Sequence, residues 1–289
     1  MGEIVEISLK KWDLRDIILK RKVSAKQMII DFHTHCFPQK IAERAINKLS
    51  FASGGLKPHY DGSLEGLKES MRKYGTDISV VLNISTNAHQ QKSVNDFAAS
   101  INEGNIISFG SVFPDSEDVL EELCRIKSMG LKGVKFHPDY QGFFVDDEKM
   151  IPIYKKISEL GLITVFHAGF DYGFPPPYHA TPERMAKILK YFDSPVVAAH
   201  WGGLDCAQGV LDLLCGRDIY FDTSFGYSCM PKYYAQKILE KHGTEKILFG
   251  TDSPWHTSAM EMRLLNTLEL SSQDMDRLTF KNAVKLLNI

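Results

Sequence analysis

The sequence lacks any apolar run long enough to cross a membrane. A spanning helix needs about 20 consecutive apolar residues, and the apolar stretches here are much shorter. Residues 1–27 also lack the apolar core of a signal peptide, because charged residues interrupt them throughout. We therefore expect a cytoplasmic protein with no membrane partner.

The sequence also has few cysteines, and their spacing is not that of a disulfide framework. The five cysteines are odd in number and include no C-x-x-C pair, which indicates a reducing compartment. Cys36 stands directly after a histidine and is a candidate thiolate ligand for a metal. Its position along the predicted strand points it away from the preceding histidine, so we interpret it as an ordinary buried thiol.

Neither sign of charge dominates the chain. The 34 basic and 36 acidic residues are scattered along it and leave a net charge of −2. There is no basic tract of the kind that binds nucleic acid and no acidic tail. The hydrophobic fraction of 44% and the charged fraction of 24% are those of a globular protein. We expect a small-molecule substrate and no nucleic-acid partner, and a homo-oligomer is left open.

No stretch rich in glycine, serine or proline divides the chain. We therefore expect one domain over residues 28–289, preceded by an extension of residues 1–27 in which Asp13 is a candidate helix cap. Within the domain, helix-like stretches alternate with eight short runs rich in valine and isoleucine. The runs are Ile29–His33, Asp77–Ser85, Ile106–Val112, Gly133–His137, Leu162–His167, Pro195–His200, Asp218–Thr223 and Lys246–Asp252.

This alternation predicts an α/β fold with a parallel sheet and helical crossovers. Eight strands close most simply into a (β/α)8 TIM barrel. An open doubly wound sheet is the rival, but no G-x-G-x-x-G follows a strand. Helices are expected over Ser63–Tyr74 and Ser116–Met129, from Thr181 onward and over Ser271–Leu287, with stops at Gly130, Gly161 and Gly243.

The carboxyl ends of the predicted strands carry polar residues where a barrel core prefers valine, isoleucine and leucine. Each such residue needs a partner or a function. In a TIM barrel these ends form the active site. The residues are His33 and His35 after the first strand, His137, His167 and His200 after the fourth, fifth and sixth, and Asp252 after the eighth.

The order H-x-H, His, His, Asp on strands one, five, six and eight resembles the amidohydrolase superfamily. Three phrases are similar to its amidohydrolase-related branch, namely Gly133–Pro138 (GVKFHP), Ala199–Gly203 (AHWGG) and Gly250–Pro254 (GTDSP). That branch includes decarboxylases similar to aminocarboxymuconate-semialdehyde decarboxylase. The late Asn282-Ala283 followed by Leu286-Leu287 is similar to the family's closing helix, so the resemblance extends from about residue 29 to the C-terminus.

The resemblance implies a metal site made by His33, His35, His167 and Asp252. Three neutral imidazoles and a carboxylate suit zinc, which lowers the pKa of a bound water towards neutrality. Asp252 would accept the proton of that water and deliver it to the leaving group. His200 would be catalytic by polarising the substrate or orienting the water, and in two-metal relatives it binds the second ion.

The fourth strand departs from the two-metal pattern. Two-metal relatives carry a bridging glutamate or carboxylated lysine there, and this strand has no glutamate. Lys135 and His137 share one face, so our interpretation is one metal with either residue contacting the substrate. A carboxylated Lys135 and a second ion are left open. Asp31 shares the face of His33 and is expected to pair with Lys135.

Aromatic residues follow the ligand strands closely. Phe170, Tyr172, Tyr178 and Trp255 are predicted to line a mostly apolar pocket. His179 is a weaker candidate for the same wall. Such a pocket favours a ring-bearing or unsaturated organic substrate.

The sequence therefore predicts a metal-dependent hydrolase, in which a metal-activated water attacks an amide, ester or lactone carbonyl. The first alternative is a nonoxidative decarboxylase or lyase of the same superfamily. It requires a basic side chain to hold the substrate carboxylate, and Lys135 is the candidate because no arginine directly follows a ligand strand. The second alternative is a catalytically inactive metal-binding protein.

Overall fold

A computed structural model describes residues 27–289, so the predicted helix after Asp13 lies outside the described residues. Within them, each of the eight predicted runs overlaps a strand, and only the first strand extends past its run, to Thr34. The strands are β1 (Ile30–Thr34), β2 (Ile78–Leu82), β3 (Ile106–Phe109), β4 (Gly133–Phe136), β5 (Ile163–Phe166), β6 (Val196–Ala198), β7 (Tyr220–Asp222) and β8 (Ile247–Leu248).

The strands form a closed barrel in sequence order. All ladders are parallel, with β1 to β3 in one sheet and β4 to β8 in another. A bridge between Gly110 and Val134 joins the two sheets on one side. On the other side, Phe32 N donates to Phe249 O at 2.8 Å. This closure confirms the TIM barrel and rules out the open doubly wound sheet.

Helices cover the outside of the barrel. They are α1 (Ala42–Ala52), α2 (Leu64–Tyr74), α3 (Gln91–Ile101), α4 (Val119–Ser128), α5 (Pro138–Gln141), α6 (Met150–Glu159), α7 (Pro182–Ile188), α8 (Ala207–Leu213), α9 (Gly226–Cys229), α10 (Lys232–His242), α11 (Ser258–Asn266), α12 (Ser272–Asp276) and α13 (Asn282–Leu287). None of the helices in residues 27–289 has the length and apolar character that a membrane crossing requires.

The predicted helices are present, with one later start and one internal interruption. Ser63 caps α2 as expected, because its Oγ accepts from Gly66 N at 3.0 Å. The helix predicted from Ser116 begins only at Val119, since the Ser116 hydroxyl bonds Asp118 instead of capping. The predicted closing helix is divided by a π-helical segment, Arg277–Lys281, between α12 and α13.

The register of β1 against β2 shifts between Asp31 and Thr34. Such an irregularity breaks the strict alternation of side chains along a strand. Sequence spacing alone therefore does not decide whether Asp31 shares the face of His33. Within this stretch, the ring of Phe32 packs edge-on against Phe109 at 5.8 Å, in a buried cluster of strand residues.

Gly169 holds the loops after β5 and β6 in close backbone contact. Its φ of +85° lies in the left-handed region, and a Cβ here would lie 2.2 Å from Leu204 N and 2.3 Å from Leu204 O. Gly169 N also donates to Ala180 O at 2.9 Å. Because backbone atoms cannot move aside as a side-chain tip can, only glycine is compatible with this contact.

We predict that Gly169→Ala lowers the free energy of unfolding more than Gly161→Ala does. Gly161 also has a positive φ, of +61°, but nothing lies within 4 Å of its missing Cβ. Both variants lose about 1–2 kcal/mol to left-handed strain, and the clash at Gly169 adds about 1–3 kcal/mol. Urea denaturation of both variants measures the difference, and equal losses would contradict the backbone contact.

Candidate active site

His33, His35 and Asp252 meet at the carboxyl end of the barrel and form what we call the first group. His33 and His35 come from the end of β1, and Asp252 from the segment after β8. Asp252 Oδ1 lies 3.0 Å from His35 Nε2 and 3.4 Å from His33 Nε2. Tetrahedral zinc with ligands at 2.0–2.1 Å separates them by about 3.3 Å. These two separations are those of metal ligands, and the ligand atoms of all three residues lie within 4.8 Å of one another.

The positions of the protons in the first group are also compatible with a bound metal ion. His35 Nδ1 lies 2.9 Å from the carbonyl oxygen of Leu82 and donates to it. With its one proton on Nδ1, the neutral form of the ring has none on Nε2, whose lone pair then faces the Asp252 carboxylate. Two acceptors at 3.0 Å repel each other unless a cation or a proton lies between them. A divalent ion satisfies both atoms.

Asp222 likewise keeps the proton of His33 on Nδ1 and leaves Nε2 without one. His33 Nδ1 donates to Asp222 Oδ2 at 2.9 Å, which leaves Nε2 as the free lone pair. Burial lowers the pKa of His33 to about 4, so the ring is neutral near pH 7. A neutral imidazole oriented by a carboxylate behind it is the usual form of a metal-binding histidine.

Asp222 was missed in the sequence, although it has the same signal as the predicted ligands. It ends β7, is fully buried, and accepts from His200 N at 3.0 Å as well as from His33. Ser224 completes the contact, donating its N–H to Asp222 Oδ1 at 3.1 Å. Burial acts to raise the pKa of Asp222, but His33 outweighs it and holds the pKa well below its usual range. The carboxylate is therefore charged and anchors two histidines.

His167 lies apart from the first group in the structure. The sequence grouped it with His33, His35 and Asp252, but its side chain clusters with His137 and Asp171, which we call the second group together with His167. On its other side, His167 Nδ1 lies 3.0 Å from His200 Nε2. Asp171 was also missed in the sequence, because it lies in a loop four residues after His167.

Two of these residues have strained backbones. His200 and Asp252 both adopt φ of +59°, in the left-handed region that residues other than glycine avoid. Strain of this kind persists only where surrounding contacts enforce it, and it concentrates at functional sites. Here the Asp252 N–H donates to His33 O at 2.8 Å and the His200 N–H donates to Asp222. Both side chains are thereby held at the barrel mouth.

The predicted pair of Asp31 and Lys135 does not form. Asp31 instead accepts from the backbone and hydroxyl of Thr251, at 3.0 and 2.6 Å. Lys135 Nζ lies 3.3 Å from His33 Nε2 and forms no ion pair with any carboxylate of residues 27–289. Burial lowers the pKa of Lys135 to about 8. The spacing argument was wrong because sharing a strand face does not set the distance between two strands.

A cavity of about 880 Å³ opens above the first group. Tyr172 and Trp255 line it as predicted, and His137, Lys135 and His200 also contribute to its surface. Aromatic residues that the sequence did not single out for this wall are Phe37, Phe97, Tyr140 and Phe225.

Phe170 and Tyr178 do not line the cavity, in contrast to the sequence prediction. Their rings stack on each other at 3.8 Å, so each covers the apolar face of the other. His179 is also outside the lining residues, since its Nδ1 bonds Asp139 Oδ1 at 2.6 Å. Cys36 is buried, as expected, and burial raises its pKa to about 12, so it remains a thiol.

Two further basic side chains reach the cavity from α1. Arg44 and Lys48 line it, are largely exposed, and form no ion pair with any residue of 27–289. The sequence pattern does not identify them, because they lie on a helix a full turn or more beyond the first ligand strand. Together with Lys135 they give an otherwise mostly apolar cavity an affinity for anions.

Comparison with known proteins gives one family and one fold. The family model described as amidohydrolase matches residues 30–289. No curated protein sequence matches the chain. Among solved structures, an uncharacterised TIM-barrel protein from Bordetella bronchiseptica aligns with a TM-score of 0.73 and 19% identity, covering 90% of this chain and 98% of its own.

Two other similar structures are decarboxylases. 5-Carboxyvanillate decarboxylase from Sphingomonas paucimobilis has a TM-score of 0.67 and 16% identity, covering 91% of this chain and 100% of its own. A dihydroxybenzoic acid decarboxylase from a Polaromonas species, with bound manganese and the inhibitor 2-nitroresorcinol, has a TM-score of 0.66 and 14% identity, covering 91% and 97%. At these identities the likeness establishes a shared fold.

We predict that Asp222→Asn weakens metal binding by about 10–100-fold, because it removes the carboxylate that orients His33. Competition with a chromogenic zinc chelator measures the affinity. Asp218→Asn is the matched control, since that carboxylate lies just before the same strand and is 94% exposed. An Asp222→Asn protein that binds zinc as tightly as the control would show that this carboxylate does not orient a ligand.

Proposed function

The chain belongs to the amidohydrolase family of metal-dependent enzymes. From this premise, we propose that it catalyses nonoxidative decarboxylation of a ring-bearing or unsaturated carboxylic acid. The observation that carries the proposal is the set of basic side chains around the cavity, Lys135 beside the first group and Arg44 and Lys48 on α1. The two decarboxylases with the same fold agree with it.

His33, His35 and Asp252 would hold the metal ion, for which we propose zinc because two imidazoles and a carboxylate suit it. A bound divalent ion would act as a Lewis acid that draws electron density from a substrate oxygen. Manganese is bound in the related Polaromonas decarboxylase, so it is the second choice of ion.

The chain's own residues would then position the acid. Lys135, as a compact buried cation, attracts the carboxylate and places it next to the first group. Tyr172, Trp255 and the other aromatic side chains cover the organic part of the substrate and exclude water. Next to these apolar side chains the charged carboxylate of the substrate is poorly hydrated. Neutral carbon dioxide needs no such hydration, so release of carbon dioxide is favoured.

Asp252 would carry the proton that completes the reaction. When the carbon–carboxylate bond breaks, its electron pair remains on the substrate carbon, which must then take up a proton. Asp252 lies at the cavity surface, 15% exposed, and can pass a proton from solvent to that carbon.

Hydrolysis of an amide, ester or lactone is the second candidate, and a different observation favours it. His167 Nδ1 and His200 Nε2 lie 3.0 Å apart, and the nearby Lys135 has no carboxylate partner in residues 27–289. With its pKa lowered to about 8, Lys135 has an appreciable fraction of neutral amine, the form that reacts with carbon dioxide. Carboxylation would give the strand-four carboxylate that two-metal hydrolases use.

We predict that the zinc-loaded protein releases carbon dioxide from at least one member of a panel of hydroxybenzoic and unsaturated cyclic acids. The same panel includes lactones and aryl esters, whose hydrolysis would favour the second candidate. Asp252→Asn should lower turnover by about 10²–10⁴-fold, with its thermal unfolding little changed. Hydrolysis without decarboxylation would overturn the proposal, and undiminished turnover by Asp252→Asn would refute the role of that carboxylate.

We predict that Arg44→Gln raises KM for an acid substrate about tenfold and leaves kcat nearly unchanged, because one charge-assisted contact contributes about 1–2 kcal/mol. Steady-state kinetics on any acid that turns over measures both constants. Lys40→Gln is the control, since Lys40 is exposed close to α1 but does not line the cavity. Equal KM values for the two variants would exclude Arg44 from substrate binding.

A further inference from the structure

The segment after β7 presents Phe225 to the cavity from a strained backbone. Phe225 has φ of +62°, in the left-handed region that bulky side chains avoid, and its buried ring lines the cavity. Strain of this kind persists only where surrounding contacts enforce it, and it concentrates at sites that bind ligands. The contacts that hold Phe225 therefore point to a role for its ring in binding.

The ring of His256 is stacked face to face on the ring of Phe225. The two centroids are 4.4 Å apart, and the ring planes differ by 7°. His256 is buried but does not line the cavity, so it covers the face of Phe225 that is turned away from a bound ligand. The opposite face of the phenyl ring is left to the cavity.

A buried carboxyl group fixes the imidazole of His256. Glu261, on α11, bonds His256 Nδ1 through Oε1 and accepts from Tyr227 N through Oε2 at 3.1 Å. The hydroxyl oxygen of Ser228 lies 3.1 Å from His256 Nε2. Because Tyr227 and Ser228 directly follow Phe225, these bonds tie the segment after β7 to α11. Glu261 is 1% exposed, and a carboxyl group so buried requires such donors.

Phe225 also lies close to the first group. The ring of His200 meets it edge to face, with centroids 6.4 Å apart, and the ring of His200 is 5.1 Å from that of His33. The ring of Tyr172 lies 6.4 Å from Phe225 on the cavity wall. A flat ring seated on the free face of Phe225 would therefore lie beside His200 and the first group.

We propose that the free face of Phe225 is the platform on which the planar ring of the substrate stacks, and that His256 and Glu261 are positioning residues that hold this platform in place. The inference rests on the proposed function, because it specifies which side chain receives the ring of the acid. Stacked aromatic rings gain affinity beyond the area that they bury. A saturated ring is puckered and cannot stack in this way, so the site selects planar, unsaturated acids.

The test compares two acids that differ in the planarity of their rings, benzoate and cyclohexanecarboxylate. Isothermal titration calorimetry measures the affinity of the zinc-loaded protein for each. We expect the unmodified protein to prefer benzoate by about three- to tenfold, the contribution of one aromatic pair. Phe225→Leu keeps an apolar side chain but has no aromatic face, so the preference should disappear.

The positioning residues are tested through the same preference. His256→Gln keeps a donor for Glu261 but removes the stacked ring, and it should lose the preference although the side chain does not line the cavity. Glu261→Leu removes the acceptor that fixes the imidazole and should have the same effect. The double variant of Phe225→Leu and His256→Gln should lose no more than either single variant, because both act through one face.

The matched control is His242→Gln. The ring of His242 is stacked on Phe221, with centroids 4.2 Å apart, but neither residue lines the cavity. This variant also loses an imidazole that covers a phenylalanine near the end of β7, so it should keep the preference for benzoate. Circular dichroism excludes variants that have not folded.

Three outcomes would overturn the proposal. Equal affinities of the unmodified protein for the two acids would refute it as a whole, and a preference retained in Phe225→Leu would refute the platform. A preference retained in His256→Gln or Glu261→Leu would refute the positioning role of that residue, since a merely structural role lowers stability without changing the ratio of affinities. Binding is measured without turnover, so failure here is distinct from failure of the proposed decarboxylation.

Discussion

A fully buried carboxylate, Asp222, is the constraint on which the arrangement of the site depends. An ionised carboxylate inside a protein is tolerated only when hydrogen bonds replace the lost water. Here the donors are His33 Nδ1, the His200 N–H and the backbone and side chain of Ser224. These bonds join the ends of β1, β6 and β7, and they decide which ring nitrogens keep a proton and which present a lone pair.

The lone pairs that result explain why the site suits cations. His35 Nε2 faces Asp252, so a nitrogen without a proton is directed at a carboxylate oxygen. The barrel thus supplies a pocket of negative potential at its mouth, while Lys135, Arg44 and Lys48 supply positive charge around the same cavity. A cation and an anionic substrate can therefore be bound side by side.

The fold and the first group could be predicted from the sequence, because valine- and isoleucine-rich runs ending in histidine or aspartate stand out locally. Asp222 has the same signal, but it is not among the ligands that the sequence predicts. Asp171 and Arg44 could not be found, since their closeness to the site depends on how a loop and a helix fold back. The pairing of Asp31 with Lys135 failed because periodicity gives a face and not a distance, and β1 shifts register at that point.

The central claim is that His33, His35 and Asp252 hold a divalent metal ion facing the cavity. The most direct measurement is an anomalous difference map, collected above and below the zinc absorption edge from crystals of protein purified without chelator. The account predicts a peak about 2.0–2.2 Å from His33 Nε2, His35 Nε2 and an Asp252 oxygen. A fully ordered site with no anomalous peak within reach of these three atoms would contradict it.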